Sequence, residues 1–299
     1  MLKPSQRRIK AVSDDQLHSV VFLGAKSEGG YEWGGVGTWV SFMDGELRFE
    51  YLITAAHVVG TAIGKSVNNR VSARINLRDG SSGFGVVDKW VYGTEEGLDL
   101  AVSPAGRMPE WETVATDMCS FATDEAIRSY DIGPGDSTIT VGLYPRMLGK
   151  ERNSPLVRSG VIAGVPTDTY SGHEGRYKFT PYLVECRSLN GVSGSPVYVR
   201  LQNDVVGPCA NPEHVHERPV GTLDTTLLLG IIHGHWDLKA TLTHDGNESF
   251  DEAITAVNEG ISVVTRASDI ARFIENNDEL VAHRLRQRER FEARAASNE

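Results

Sequence analysis

Asn190-Gly191-Val192-Ser193-Gly194-Ser195-Pro196, running on into Val197-Tyr198-Val199, is the stretch on which the reading of this chain turns. Glycine carries no Cβ, so a chain of this composition can bend sharply and aim successive backbone N–H groups the same way. A serine hydroxyl held at such a bend can attack a carbonyl, and the N–H groups of Gly191 and Ser193 can receive the oxyanion that forms. The same residues also read as an ordinary Gly/Ser turn between two strands. The remainder of the chain decides between the two.

The chain has 299 residues, 40% of them hydrophobic, with 31 glycines and a formal net charge of −10. Its length suits one large domain or two small ones, and its glycine content suits a turn-rich fold. The acidic balance argues against nucleic acid as the main partner, since phosphate contacts need a basic surface. Cys119, Cys186 and Cys209 are odd in number and far apart, which suggests no disulfide framework and a reducing compartment. Met1 to Gln16 has no apolar core of signal-peptide type, and no apolar run has the length of a membrane-spanning helix. The expectation is a soluble, cytoplasmic protein without a membrane partner.

Along the chain, residues 1–16 read as a charged arm. Strand signals begin at Val20-Val21-Phe22-Leu23 and continue through Trp33 to Met43, Glu46 to Ile53, Val71 to Leu77, Phe84 to Tyr92 and Leu98 to Ser103, with Asp44-Gly45 as a hairpin turn. That is about six strands, the number a small antiparallel barrel needs. Alternation is lost around Pro104, Pro109 and Gly133-Pro134-Gly135, and residues 111–135 are assigned to a connection. A second set of about six follows: Ser137 to Leu143, Leu156 to Val165, Lys178 to Cys186, Pro196 to Leu201, Thr225 to His233 and Gly260 to Thr265. The expected units are a barrel over 17–110, a barrel over 136–267, and a helix with a charged tail over 268–299. Ser268 is the expected cap of that helix, and Ile270, Phe273 and Ile274 fall on one face. The Arg/Glu-rich tail after Asn276 reads as a solvated helix or frayed end, with an interaction handle as the alternative.

A serine hydroxyl needs a base within hydrogen-bond reach, and the base needs a group that fixes its tautomer. His57 follows the apolar Tyr51-Leu52-Ile53 through the small residues Thr54-Ala55-Ala56, which allow a short helical turn to push the imidazole toward a cleft. Asp99 lies inside Leu98-Asp99-Leu100-Ala101-Val102, and a carboxylate among apolar residues needs a partner. Taken singly, His57 also reads as a satisfied core histidine and Asp99 as a hairpin acid.

Together, Thr-Ala-Ala-His at 54–57, Asp-Leu-Ala-Val 42 residues after the histidine and Gly-Val-Ser-Gly-Ser-Pro, with its serine 94 residues further on, resemble the chymotrypsin-like (trypsin-like) serine peptidases, closest to their bacterial disulfide-free type. The resemblance covers roughly residues 18–275. It is supported by Gly35-Val36-Gly37-Thr38-Trp39-Val40, Leu156-Val157-Arg158-Ser159-Gly160-Val161-Ile162-Ala163, Gly230-Ile231-Ile232-His233-Gly234 and Gly260-Ile261-Ser262-Val263-Val264. It implies an all-β fold of two six-stranded antiparallel barrels with a C-terminal helix. It also implies Ser193 as nucleophile, His57 as base, Asp99 as its orienting acid, and the N–H groups of Gly191 and Ser193 as oxyanion hole. By family position Arg187 and Ser188 lie near the floor of the first substrate pocket, and His233, Gly234 and His235 on or beside the channel strand. A cationic pocket of that kind favours an acidic side chain before the cut.

Two departures stand out. Val192 occupies a position where secreted relatives carry an aspartate that pairs with a newly cut N-terminus. Activation by such a cut is therefore not expected, and a substrate or regulatory partner is the expected alternative for ordering the loop. Ser195 is a second hydroxyl beside the nucleophile, and the family pattern selects Ser193. Cys209, His214 and His216 have the types of a zinc set but no fourth ligand nearby, so no metal or other cofactor is expected. Asn247-Glu248-Ser249 matches a glycosylation acceptor that carries little weight without a secretory signal. The expected partner is a protein or peptide substrate. The rival reading is a catalytically silent binding protein on the same fold.

Overall fold

The computed structural model describes residues 12–93, 98–165, 170–171, 178–186, 191–201, 225–241 and 254–296. A short capped helix, α1 (Asp14–Leu17), precedes the strands; the Ser13 side chain accepts from the Gln16 N–H, and Gln16 reciprocates. Strands β1 (Val20–Ser27), β2 (Gly30–Asp44) and β3 (Leu47–Thr54) form an antiparallel meander. Gly45, at φ +63°, makes the β2–β3 turn that Asp44-Gly45 predicts. Helix α2 (Ala56–Lys65) follows, and then β4 (Val71–Asn76), β5 (Ser82–Val87), β6 (Val91–Tyr92), β7 (Ala101–Ser103) and β8 (Thr116–Asp117).

These eight strands make one sheet in the order β5-β4-β1-β2-β3-β7-β6, with β8 running parallel to β2. The expected count was six in a closed barrel. Among the described residues the ladder does not close. The predicted strand Phe84 to Tyr92 is split at Asp88-Lys89-Trp90, and β8 is a two-residue strand with no alternation to betray it. Asp99 also lies outside its predicted strand, in the bend just before β7.

The connection carries helix α3 (Asp124–Ser129), whose first turn is capped by the Thr123 hydroxyl accepting from the Ala126 N–H. Beyond it come β9 (Ser137–Gly142), β10 (Leu156–Gly164), β11 (Tyr170–Ser171), β12 (Lys178–Phe179), β13 (Tyr182–Glu185), β14 (Pro196–Leu201), β15 (Thr225–Thr241) and β16 (Ile254–Arg266). Six of them close a barrel in the order β10-β13-β16-β15-β14-β9, as expected for the second set, and β11 pairs with β12 outside it. The predicted strand Lys178 to Cys186 is interrupted at Thr180-Pro181, where proline removes a ladder donor. The fold is mostly β, with one closed six-stranded barrel, a second sheet and helices at the C-terminus; of the two closed barrels expected, the second is present among the described residues.

Three apolar clusters hold it together. One fills the first sheet and includes Leu23, Trp39, Leu52, Val58 and Val59, so α2 is packed into it. A second fills the closed barrel around Val184, Val197, Leu229 and Val264. The third joins Val40, Tyr51 and Ile53 of the first sheet to Ile139, Tyr198 and Ile231 of the barrel. Ile270 and Ile274 of α4 (Ala267–Asn276) and Leu280 of α5 (Asp278–Ala296) seal it. Ser268 is not the cap of α4: the cap residue is Arg266, and Ser268 is buried within the first turn.

The Arg/Glu-rich tail is helical, as one of its two readings had it, but it is not merely solvated. Arg284 is buried. Its guanidinium donates to the Tyr51 hydroxyl at 3.1 Å, to the Ile274 carbonyl at 2.7 Å and to the Glu275 carbonyl at 2.7 Å, and it lies 4.9 Å above the Phe42 ring. The last carbonyls of α4 have no partner within their own helix, and a cation there also suits the helix dipole. Arg284→Ala leaves the Tyr51 hydroxyl and the Ile274 carbonyl buried without this donor. It is expected to destabilise the protein by about 3 kcal/mol, or roughly 6–10 °C in Tm, as read by thermal unfolding. A shift under about 1 °C would contradict this bracing role.

Candidate active site

His57 is the second residue of α2, and α2 starts directly off the end of β3. The first turn of a helix leaves N–H groups without partners. Ala55 at the cap position has no side chain to satisfy them. Asp99 does so from outside: its Oδ1 accepts from the His57 N–H at 2.9 Å, while its Oδ2 is 2.5 Å from His57 Nδ1. The β3–β7 ladder pairs Thr54 with Ala101, and continuing that register brings Asp99 alongside Ala56 and His57. The carboxylate is 12% exposed and the imidazole 49%, so the acid lies behind and the ring faces the cleft. Nδ1 is committed to the carboxylate, which leaves Nε2 for chemistry. Burial pushes the Asp99 carboxyl up. The hydrogen bond from His57, the charges of His233 and His57 and the His57 N–H together outweigh it and hold the carboxyl below its usual range.

Ser193 sits on a turn between Gly191 (φ +89°) and Gly194 (φ +86°), in the left-handed region that glycine tolerates. Gly194 has a second reason to be glycine. A Cβ there would come within 1.9 Å of the Val36 carbonyl oxygen and 2.4 Å of Thr54 Oγ1. The turn is tied to both halves of the molecule. On one side the Val36 N–H donates to the Ser193 carbonyl at 2.9 Å, and the Thr38 hydroxyl donates to the Gly194 carbonyl at 2.8 Å. On the other the Gly194 N–H donates to the Ile232 carbonyl at 2.7 Å, and the Ile232 N–H donates to the Ser195 carbonyl at 2.9 Å. Val192 is buried in the barrel cluster, so apolar packing anchors the turn.

Ser193 is partly exposed and Ser195 fully buried, with its hydroxyl facing Gly142 of the barrel. The two serines therefore point to different places, and only Ser193 is available to a substrate. The N–H groups of Gly191 and Ser193 have no hydrogen-bond partner among the described residues. Among the described residues no hydrogen bond joins Ser193 to His57; the serine turn meets the strand that leads to His57 through Val36 and Thr54.

His233 lies where β15 bulges against β16: Ile232 pairs with Val264 and Gly234 with Val263, leaving His233 as the extra residue. A bulge re-aims a side chain. Here it brings His233 Nε2 to 3.7 Å from Asp99 Oδ2, with the His233 ring 6.3 Å from that of His57. Asp99 thus stands between two imidazoles. The single sequence signal for His233 was its place on the channel strand, which did not foretell the contact with Asp99. Gly234 follows it in β15, and the backbone of His235 continues that strand. Arg187, Ser188, Cys209, His214, His216 and Asn247-Glu248-Ser249 lie outside the described residues. Among the described residues no three metal-ligating side chains cluster, and no helix is long and apolar enough to cross a membrane. The part that Val36, Thr38 and Thr54 play in holding the serine turn went unassigned at the level of sequence, although all three lie in quoted motifs.

No protein-family model matches the chain, and no curated protein does. Solved structures do. The HtrA-type protease AlgW with a tripeptide aligns with a TM-score of 0.47 at 15% identity, over 87% of this chain and 61% of that one. Deg5 aligns with a TM-score of 0.39 at 19% identity, over 61% of this chain and 75% of that one. This chain thus spans less than two thirds of the AlgW chain.

Burial pushes the His233 imidazole below its ordinary value of 6.5, the Asp99 charge opposes that shift and the His57 charge adds to it. Nitrogen-detected imidazole NMR is expected to show His233 titrating below 6.5. Asp99→Asn removes the opposing charge, so the His233 midpoint should move further down. Because the folded value is lowered, this group's contribution to stability is complete above pH 6.5 and is lost as pH falls toward the folded value. A His233 midpoint above 6.5, or an upward move in Asp99→Asn, would sink this account.

Proposed function

We propose that this chain is a serine endopeptidase working through an acyl-enzyme. The observation that carries the reading is the double grip of Asp99 on His57, through backbone N–H and Nδ1 together, beside a partly exposed serine on a glycine-framed turn. Ser193 Oγ attacks the scissile carbonyl carbon, and its proton passes to His57 Nε2. The carbonyl electron pair moves onto oxygen, where the N–H groups of Gly191 and Ser193 receive it. Collapse of the tetrahedral species breaks the C–N bond, and the leaving amine takes the proton from His57 Nε2. Water then repeats the sequence: its proton goes to His57, its oxygen bonds to the acyl carbon, and Ser193 recovers the proton as the acid departs. Asp99 stabilises the charged imidazole throughout.

The hydrogen bonds of the serine turn and the burial of Val192 both lie within the chain. They support a turn that is set without a partner, so activity without lag or activator is part of the proposal. His233 Nε2 lies 3.7 Å from Asp99 Oδ2, the same oxygen that faces His57 Nδ1. Burial lowers the His233 imidazole from its ordinary value, which disfavours a second positive charge beside the carboxylate.

A fluorophosphonate probe followed by peptide mapping is expected to label Ser193 and not Ser195. Ser193→Ala should abolish labelling and lower peptide turnover by ~10⁶-fold, and Asp99→Asn should lower turnover by ~10⁴-fold while leaving the fold intact. A well-folded protein that takes no label at Ser193 would favour the silent binding protein instead.

A further inference from the structure

Three large aromatic side chains stand together at the end of the first sheet nearest the candidate site. Tyr31 and Trp33 are two residues apart on β2 and so share a face; Phe84 comes from β5. Their rings are nearly parallel. Tyr31 and Phe84 are 4.5 Å apart at 6°, Tyr31 and Trp33 5.4 Å at 6°, and Trp33 and Phe84 6.0 Å at 10°. The stack is rooted in the core through Phe22, 6.2 Å from Trp33, and opens to solvent at its other end, where Tyr31 is 40% and Phe84 58% exposed. Val86, two residues beyond Phe84 on the same face of β5, is 52% exposed. Scattered exposed apolar residues are ordinary, but contiguous ones mark contact surfaces.

The stack is continuous with the catalytic machinery. Trp33 and Gly34 line a pocket of about 110 Å³ together with His57 and Val58, and the Glu32–Lys65 ion pair (3.5 Å) also borders it. The Gly34 carbonyl oxygen lies 3.8 Å from where a Cβ on Gly191 would sit. One segment, Trp33-Gly34, therefore touches the aromatic stack, the imidazole pocket and the oxyanion turn.

We infer that Tyr31, Trp33 and Phe84 form a platform for an aromatic side chain on the peptide that leaves, just after the cleaved bond. The inference rests on the peptidase reading above. In that reading His57 hands its proton to the departing amine, so the leaving segment emerges on the imidazole's side, over the pocket that Trp33 walls. Its extended backbone carries side chains alternately up and down. One that reaches the platform meets parallel rings and gains aromatic contact worth about ten-fold in binding.

The test uses a fluorescent library of ten-residue random peptides with two readouts: cleavage by the full-length chain, and retention by full-length Ser193→Ala. Phe, Tyr and Trp are expected to be enriched about ten-fold within the first three residues after the cut, and enriched in the retained pool. The double variant Tyr31→Ser/Phe84→Ser should remove both enrichments, and Tyr31→Phe/Phe84→Tyr, which keeps the rings, should preserve them. A retained pool without aromatic enrichment, or enrichment unchanged in the serine double variant, overturns the platform. Enriched retention with no cleavage and no label at Ser193 keeps the platform and overturns the peptidase reading alone.

Discussion

The Asp99 carboxylate is the group on which the candidate site depends. A carboxylate taken out of water costs several kcal/mol unless its oxygens are paired. Here one oxygen closes the open N-terminus of α2 and the other holds the imidazole that the same turn presents. A helix N-terminus and an imidazole N–H are both partners suited to a negative charge. The geometry is self-consistent: wherever α2 starts, His57 starts with it, and the acid that caps the helix necessarily orients the ring. Without Asp99, the N–H and the ring would each lose their partner, and the tautomer that leaves Nε2 free would no longer be enforced.

A second constraint brings the serine turn to the strand end from which the helix of that ring starts. The Thr54 hydroxyl donates to the Val36 carbonyl at 2.7 Å, and the Val36 N–H donates to the Ser193 carbonyl. Thr54 ends β3, three residues before His57. The same strand end therefore launches the histidine and braces the segment that receives the serine turn. Gly194 passes so close to Val36 and Thr54 that no side chain fits between them. The serine turn meets the two halves at once, so neither half positions Ser193 alone.

Much of this was readable from residue order because the determinants are local. Ser193 between glycines, His57 after small residues and the Asp44-Gly45 hairpin all announce themselves within a few positions. What escaped the sequence was set by pairing between distant segments. The bulge that turns His233 onto Asp99 is a mismatch between β15 and β16, and neither strand shows it alone. The closure of the first set at six strands was expected from rhythm. The rhythm could not show that Asp88-Lys89-Trp90 interrupts one strand, or that two residues at Thr116-Asp117 add another. Asp99 was placed in a strand because its neighbours are apolar; Leu100 is indeed buried, but the chain bends there to bring the acid to α2.

The tail shows the same limit from the other side. Its composition is that of a solvated helix, and most of α5 is exposed. A long side chain with a planar, five-donor head can nevertheless cross from such a helix into the interior. Arg284 does this, and its targets explain why it is arginine: two carbonyls at the open end of α4 and the hydroxyl of Tyr51 need donors at three separated points, which a lysine ammonium on one centre cannot reach together. Tyr51 lies on β3, six residues before His57. The last helix of the chain thus supports, through one guanidinium, the strand whose end carries the imidazole.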